Sequence, residues 1–267
     1  MPDADILQFL YGIAVGIGAG GIAGILAALA GVGGGLIYVP IFYACMPASE
    51  DGIGIQIMAS MLAIILTGSF SARSHYRLGH VDIGTGLYLL PGLIAGAAIG
   101  LWSTLHIPET WVLLALASLD LWVAYDYGRE IAKHARYRHS GYLIACSGPI
   151  GFASGSLGIG GGTMLVPLMR RSLPLRKAVG TSAFCGVVMA TFGVGLNLLF
   201  EPSWKLPMQE QLMFILGSLT GILLILPKAT EWSANLHAMM TEYQIRLALK
   251  VLFVCLAMLL FLETLIH

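Results

Sequence analysis

The chain has 267 residues, of which 57% are hydrophobic and only 10% are charged. Soluble domains carry about 25% charged residues, so the polar surface available here is too small to cover a water-soluble globule. The formal net charge is +0, and without a basic stripe or a recognition motif no nucleic-acid partner is expected. Apolar runs of about 20 residues that do not alternate with polar ones predict an all-α, polytopic membrane protein.

Eight long apolar segments along the chain predict transmembrane helices. They lie at 7–30, 53–72, 83–104, 109–127, 141–157, 178–200, 210–226 and 244–266. Two further apolar segments, 36–46 and 163–169, are too short for ordinary spans. Each of these either re-enters and leaves on the same side of the membrane or forms a half-helix that completes a crossing.

Each short segment follows a glycine cluster, and the two clusters match. GVGGGLIYVP at 31–40 and GIGGGTMLVP at 158–167 share six of ten residues. The match continues where QIMASM at 56–61 aligns with AVGTSAF at 178–184, which pairs Ser60 with Ser182. The sequence therefore predicts two transmembrane repeats, residues 1–127 and 141–267, joined by a cytoplasmic linker at 128–140. Each repeat has about four long helices and one half-helix after its GxGGG turn.

The basic residues favour an inverted arrangement of the two repeats. Lys and Arg mark cytoplasmic loops, and here they cluster at 73–77, 129–138 and 170–177. If the short segments complete crossings, these clusters and a loop at 227–243 all face the cytoplasm, and only Lys205 lies outside. If the short segments re-enter, the second and third clusters lie on opposite sides. We therefore predict five crossings in each half, in opposite directions.

The glycine turns are candidate sites for a small anion. Glycine allows positive φ angles and close backbone approach to a ligand, and the helix that follows presents unpaired N–H groups. In inverted-repeat transporters, half-helix N-termini face anionic substrates near the bilayer midplane. The alternatives are that the glycines serve only helix packing and that nearby hydroxyls bond helix carbonyls. The candidate substrate-binding residues are Gly33, Gly34, Gly35, Gly160, Gly161, Gly162, Ser60, Thr181 and Ser182.

Four other polar residues are candidates for pathway or coupling roles. Arg73 and His75 end a predicted span at the cytoplasmic side, and the repeat offset pairs His75 with Asn197. The alternative for the arginine is that it only sets the topology. Asp120 is the one acid deep in a predicted span, where acids are costly and often relay protons. Its alternative is a hydrogen-bonded structural role.

The lack of known catalytic motifs argues against an enzyme. There is no HExxH, no GxSxG elbow and no cysteine spacing typical of a metal site, so neither catalytic residues nor a metal or cofactor are expected. Without an ATP-binding motif, transport would use an ion or substrate gradient. A secondary carrier is the preferred interpretation, and a passive anion channel in the same membrane is the alternative.

At these motifs the chain resembles the sulfite exporter TauE/SafE family. The resemblance rests on GVGGGLIYVPI at 31–41, GIGGGTMLVPL at 158–168, AVGTSAF at 178–184 and SHYRLGHVD at 74–82, and it covers essentially the whole chain. It implies a carrier of sulfur oxyanions or organosulfonates in the bacterial inner membrane, mostly working outward. QIMASM departs from the family's Gly-Thr-Ser turn, which favours Ser182 over Ser60. The expected partners are the anion and the lipid bilayer, and small-residue helix faces are compatible with a homodimer.

Overall fold

The computed structural model describes residues 2–30, 34–47, 53–104, 106–127, 140–170, 172–200, 209–239 and 241–266. These residues form ten helices and no strand, which confirms the predicted all-α class. The helices are α1 (Pro2–Ala30), α2 (Gly35–Cys45), α3 (Gly54–Arg77), α4 (Ile83–Thr104), α5 (Glu109–Tyr127), α6 (Ser140–Leu157), α7 (Gly162–Met169), α8 (Leu175–Phe200), α9 (Gln209–Met239) and α10 (Glu242–Ile266).

Six of these helices contain a stretch that is long and apolar enough to cross a membrane. The stretches are Ala4–Leu26, Gly54–Arg77, Ile83–Thr104, Arg176–Leu199, Gln209–Ala229 and Leu247–Leu265. The predicted segments at 109–127 and 141–157 also form helices, but they are not among the six. Three acids in α5 and the many glycines and serines of α6 lower their hydropathy.

The two short segments after the glycine clusters are helical, as predicted. α2 has 11 residues and α7 has 8. At about 1.5 Å per residue, α7 is roughly 12 Å long, well short of the roughly 30 Å hydrocarbon core. Neither helix therefore crosses a bilayer by itself.

The segment at 227–243, predicted as a loop, is instead largely helical. α9 continues through Pro227 to Met239, and α10 begins at Glu242. With 31 residues, α9 is about 46 Å long, more than a bilayer core requires. The polar residues that suggested a loop lie on a helical extension beyond the apolar stretch.

The first helix of each half packs against the fourth helix of the other half. A Cβ built on Gly16 of α1 would lie 2.7 Å from Ser218 Cα of α9, and one on Gly96 of α4 would lie 2.8 Å from Phe152 N of α6. The glycines thus let the backbones touch, which is how small residues permit close helix packing in membranes. Helices of both halves share one large core, so the halves are interlocked rather than separately packed.

α3 and α8 pack antiparallel to each other. Gly193 lies against Met61, Gly68 lies against Val187, and Gly180 lies against His75. Residues later in α3 therefore contact residues earlier in α8. This central pair carries the hydroxyl residues that the repeat alignment singled out.

Candidate functional site

The second glycine turn, which we define as residues 158–162, needs glycine because of its backbone conformation. Gly158, Gly160 and Gly161 have φ angles of +68°, +64° and +72°. Side chains of L-amino acids rarely adopt this left-handed region, and glycine does so without steric cost. Gly161 is the N-cap of α7, so the turn leads directly into a helix N-terminus with its unpaired N–H groups.

α3 and α8 enclose this turn from two sides. A Cβ built on Gly158 would lie 2.9 Å from Ile57 Cγ2, and one on Gly160 would lie 2.9 Å from Ile64 Cγ2, both on α3. On α8, a Cβ at Gly186 would lie 2.9 Å from the Gly160 carbonyl oxygen, and Met189 Sδ lies beside Gly161. The glycine at 186, which the repeat alignment did not single out, thus allows α8 to approach the turn.

Ser60 and Ser182 both hydrogen-bond to the turn. Ser60 Oγ on α3 donates to the carbonyl oxygen of Gly158 at 2.9 Å, and Ser182 Oγ on α8 donates to that of Gly162 at 2.7 Å. Both side chains are fully buried. The alternative considered from the sequence, a bond to a carbonyl of their own helix, is therefore not the arrangement found. Each serine instead ties a long helix to the glycine turn.

The start of α2, where the first glycine turn (residues 31–35) ends, contacts the second glycine turn. A Cβ built on Gly35 would lie 2.5 Å from the carbonyl oxygen of Ile159, which places the start of α2 against the second glycine turn. Gly34 is the N-cap of α2 with a right-handed φ of −58°, whereas its repeat mate Gly161 is left-handed. Gly33 lies outside the described residues. The two turns therefore meet, but the paired N-caps differ in conformation.

Thr181 is oriented toward a loop. Its Oγ1 accepts a hydrogen bond from the backbone N–H of Asp82 at 2.9 Å. Next to it, Gly180 packs against the carbonyl of His80 and the Cβ of His75. The segment between α3 and α4 thereby packs on the first turns of α8, and His75 lies in the last turn of α3.

His75 and Asn197 are not brought together. His75 is opposite Gly180, and Asn197 lies 17 residues further along α8, a helical distance of about 26 Å. Asn197 is buried, while Arg73 is exposed near the end of α3. The repeat alignment thus pairs residues at opposite ends of the α3–α8 pair, as antiparallel packing requires.

Asp120 is fully buried on α5, and neither of its carboxyl oxygens has a hydrogen-bond partner in the described part of the chain. α5 packs mainly against α10.

Two hydroxyl residues that the sequence patterns did not single out, Ser154 and Thr163, are also buried, and neither hydroxyl has a hydrogen-bond partner among the described residues. Over the same residues, no group of three His, Cys, Asp or Glu side chains could hold a metal ion.

Comparisons with known proteins find relatives that are described as probable membrane transporter proteins. A probable membrane transporter protein of Haemophilus influenzae is 31% identical over 190 residues, which cover 66% of this chain and 69% of that protein. One of Xylella fastidiosa is 28% identical over 243 residues, covering 85% and 89%, and YunE of Bacillus subtilis is 28% identical over 195 residues, covering 61% and 70%.

No solved structure matches the chain. The family model described as "Sulfite exporter TauE/SafE" matches residues 16–261. The protein is therefore a multi-pass membrane transporter, and the chain belongs to the sulfite exporter TauE/SafE family.

Proposed function

We propose that this transporter is a secondary carrier that moves a small sulfur-containing anion, such as sulfite or an organosulfonate, outward across the bacterial inner membrane. The family description supports the cargo class and the direction. The observation that carries the proposal is the second glycine turn, which opens α7 between α3 and α8 and touches the start of α2. The described side chains nearest to it, such as Ile57, Ile64 and Met189, are uncharged, so a bound anion would be held by neutral donors and could be released.

In this proposal the anion lies at the two glycine turns, bound by backbone N–H groups of the first turns of α2 and α7. A helix N-terminus favours an anion by about 0.3–1 kcal/mol when exposed and by up to about 2 kcal/mol when partly buried. Ser60 and Ser182 currently donate to carbonyls of the second glycine turn, so they exchange that acceptor for the anion on binding. The proposed binding residues remain Gly33 to Gly35, Gly160 to Gly162, Ser60, Thr181 and Ser182.

The burial of the second glycine turn supports alternating access as the transport mechanism. Residues 154–163 are all buried, so an anion reaches the turn only when neighbouring helices move. This supports a carrier over an open channel. The antiparallel α3–α8 pair supports the inverted repeats, because re-entrant short segments would make these helices parallel. Arg73, His75 and Asn197 are proposed to line the pathway, and Asp120 to couple transport to protons.

The first test is thermal stability of the detergent-purified protein with sulfite, sulfate, thiosulfate, sulfoacetate, taurine, phosphate and acetate. A ligand that binds only the folded state raises the unfolding temperature by mass action. We expect a rise with a sulfur oxyanion or sulfonate and none with phosphate or acetate. No rise with any sulfur anion would contradict the proposed cargo.

Counterflow in proteoliposomes separates a carrier from a passive channel. Vesicles loaded with unlabelled anion should transiently accumulate labelled anion from outside, because a carrier exchanges one bound molecule for another. A channel lets the anion equilibrate without this transient excess. Uptake that shows neither counterflow nor saturation would favour the channel.

A further inference from the structure

Two buried hydroxyls beside the second glycine turn have no hydrogen-bond partner among the residues that the structure describes. Ser154, in the last turn of α6, is 1% exposed, and Thr163, in the first turn of α7, is 0% exposed. Neither Ser154 Oγ nor Thr163 Oγ1 has a partner in the part of the chain that the structure describes. Buried hydroxyls are normally paired, since leaving one unpaired costs free energy. Two such groups at one turn therefore need an explanation.

The Ser154 hydroxyl lies next to the second glycine turn. A Cβ built on Gly161 would lie 3.2 Å from Ser154 Oγ and 2.8 Å from Met189 Sδ. The absence of a side chain at Gly161 thus lets this hydroxyl approach the backbone that begins α7 more closely than any other residue would allow. Thr163 follows Gly161 by two residues, within the turn whose N–H groups lack helical acceptors.

The repeat does not duplicate these hydroxyls. The alignment that pairs Gly34 with Gly161 pairs Ser154 with Ala27 and Thr163 with Leu36. Since alanine and leucine cannot donate a hydrogen bond, the two glycine turns are chemically unequal. This asymmetry adds to the difference between the right-handed Gly34 and the left-handed Gly161.

We propose that Ser154 and Thr163 donate hydrogen bonds to the transported anion, so that the substrate site is asymmetric, with more donors at the second glycine turn than at the first. This inference rests on the function proposed above and adds two residues to it. The two hydroxyls and the N–H groups that begin α7 supply neutral donors to the three oxygens of an SO3 group, which sulfite and organosulfonates share. At the first glycine turn, Ala27 and Leu36 occupy the matching positions, so that turn offers the N–H groups that begin α2 but no equivalent hydroxyls.

The test compares Kd values for sulfite and sulfoacetate, measured by titration calorimetry, in Ser154→Ala, Thr163→Val and the wild-type protein. Loss of a hydrogen bond to a charged group should weaken binding about 10- to 100-fold. Thr163→Ser keeps the hydroxyl and should restore most of the affinity. Thermal stability without ligand should change little, because each variant removes an unpaired group rather than one half of a pair.

Ser218→Ala is the matched control. Ser218 is also a buried hydroxyl without a partner in the described residues, but it lies on α9 at the contact with α1. The Kd of Ser218→Ala for sulfite and sulfoacetate should equal that of the wild-type protein. If Ser154→Ala and Thr163→Val bind sulfite or sulfoacetate as tightly as the wild-type protein does, the two hydroxyls do not contact the anion. The inference is then overturned, while the proposed function stands. If the wild type binds no sulfur anion, both are overturned. An equal loss in Ser218→Ala would also reject the inference.

Discussion

Gly160 and Gly161 should be intolerant of even the smallest side chain. Both have left-handed φ angles, which cost other residues about 1–2 kcal/mol. Gly160→Ala and Gly161→Ala should therefore lower the unfolding temperature of the purified protein by a few degrees, at roughly 2–4 °C per kcal/mol.

Gly195→Ala is the control for these two variants. Gly195 lies inside α8, and a Cβ built there meets nothing within 4 Å. Alanine is the better helix former by about 1 kcal/mol, so this variant should keep or raise the unfolding temperature. Equal loss of stability in all three variants would mean that the left-handed backbone is not the cause.

Asp120 should matter for coupling rather than for binding. Its carboxyl group is buried without a partner in the described residues, and intramembrane acids often relay protons. An amide cannot take up and release a proton, so Asp120→Asn should abolish accumulation driven by a pH gradient and leave counterflow exchange unchanged. Both rates are measured in the same proteoliposomes.

Asp126→Asn provides the comparison on the same helix. Asp126 is half-buried near the end of α5 and pairs with Arg170 at 3.4 Å. Such partly exposed ion pairs contribute about 0–1 kcal/mol, so both transport rates should stay near the wild-type values. If Asp120→Asn still accumulates anion in a pH gradient, Asp120 has a structural role.

At the scale of helices, the glycine rows make specific helix pairs. Gly96 on α4 faces backbone atoms of Gly148 and Phe152 on α6, whereas a Cβ on Gly148 meets nothing within 4 Å. Gly96→Ala must separate the two helices, and overpacking of this kind costs about 1–3 kcal/mol. Gly148→Ala, in the same interface, should be tolerated. Thermal unfolding of the two variants side by side measures the difference, and similar stabilities would show that α4 and α6 are not in backbone contact.

Helix positions were largely predictable, and helix ends were not. Apolar runs mark where a bilayer needs a helix, so all eight long segments and both short ones are helical. α9 shows the limit of this signal: polar residues after Pro227 suggested a loop, but the helix continues past this proline to Met239. Hydropathy reports the burial of side chains in lipid, not the hydrogen bonding of the backbone.

For the whole molecule, the sequence identified the centre of the site but not its contacts. Two matched glycine clusters indicated that the turns are special, and the turns do meet at Gly35 and Ile159. The sequence could not show that Thr181 binds a loop amide or that Ser60 reaches across to the other half. Those contacts depend on the pairing of α3 with α8, which are more than a hundred residues apart on average along the chain and carry no local signal for each other.

The direction of the two halves is the remaining prediction, and three single cysteines decide it. After replacement of the four native cysteines, cysteine is introduced at Leu78, Ile107 or Pro174, all exposed between helices. Labelling with a membrane-impermeant maleimide, before and after opening the cells, reports the side of each. If the short helices complete crossings, positions 78 and 174 share the cytoplasmic face and 107 lies outside.

Re-entrant short helices predict a different pattern, with positions 78 and 174 on opposite faces. That arrangement would also require α3 and α8 to run in the same direction across the membrane. The contacts of Met61 with Gly193 and of His75 with Gly180 run the other way. Labelling of positions 78 and 174 from opposite faces would therefore contradict both the inverted repeats and the antiparallel α3–α8 pair. It would also contradict the proposed site, because Ser60 and Ser182, which hydrogen-bond to the second glycine turn, lie on these two helices.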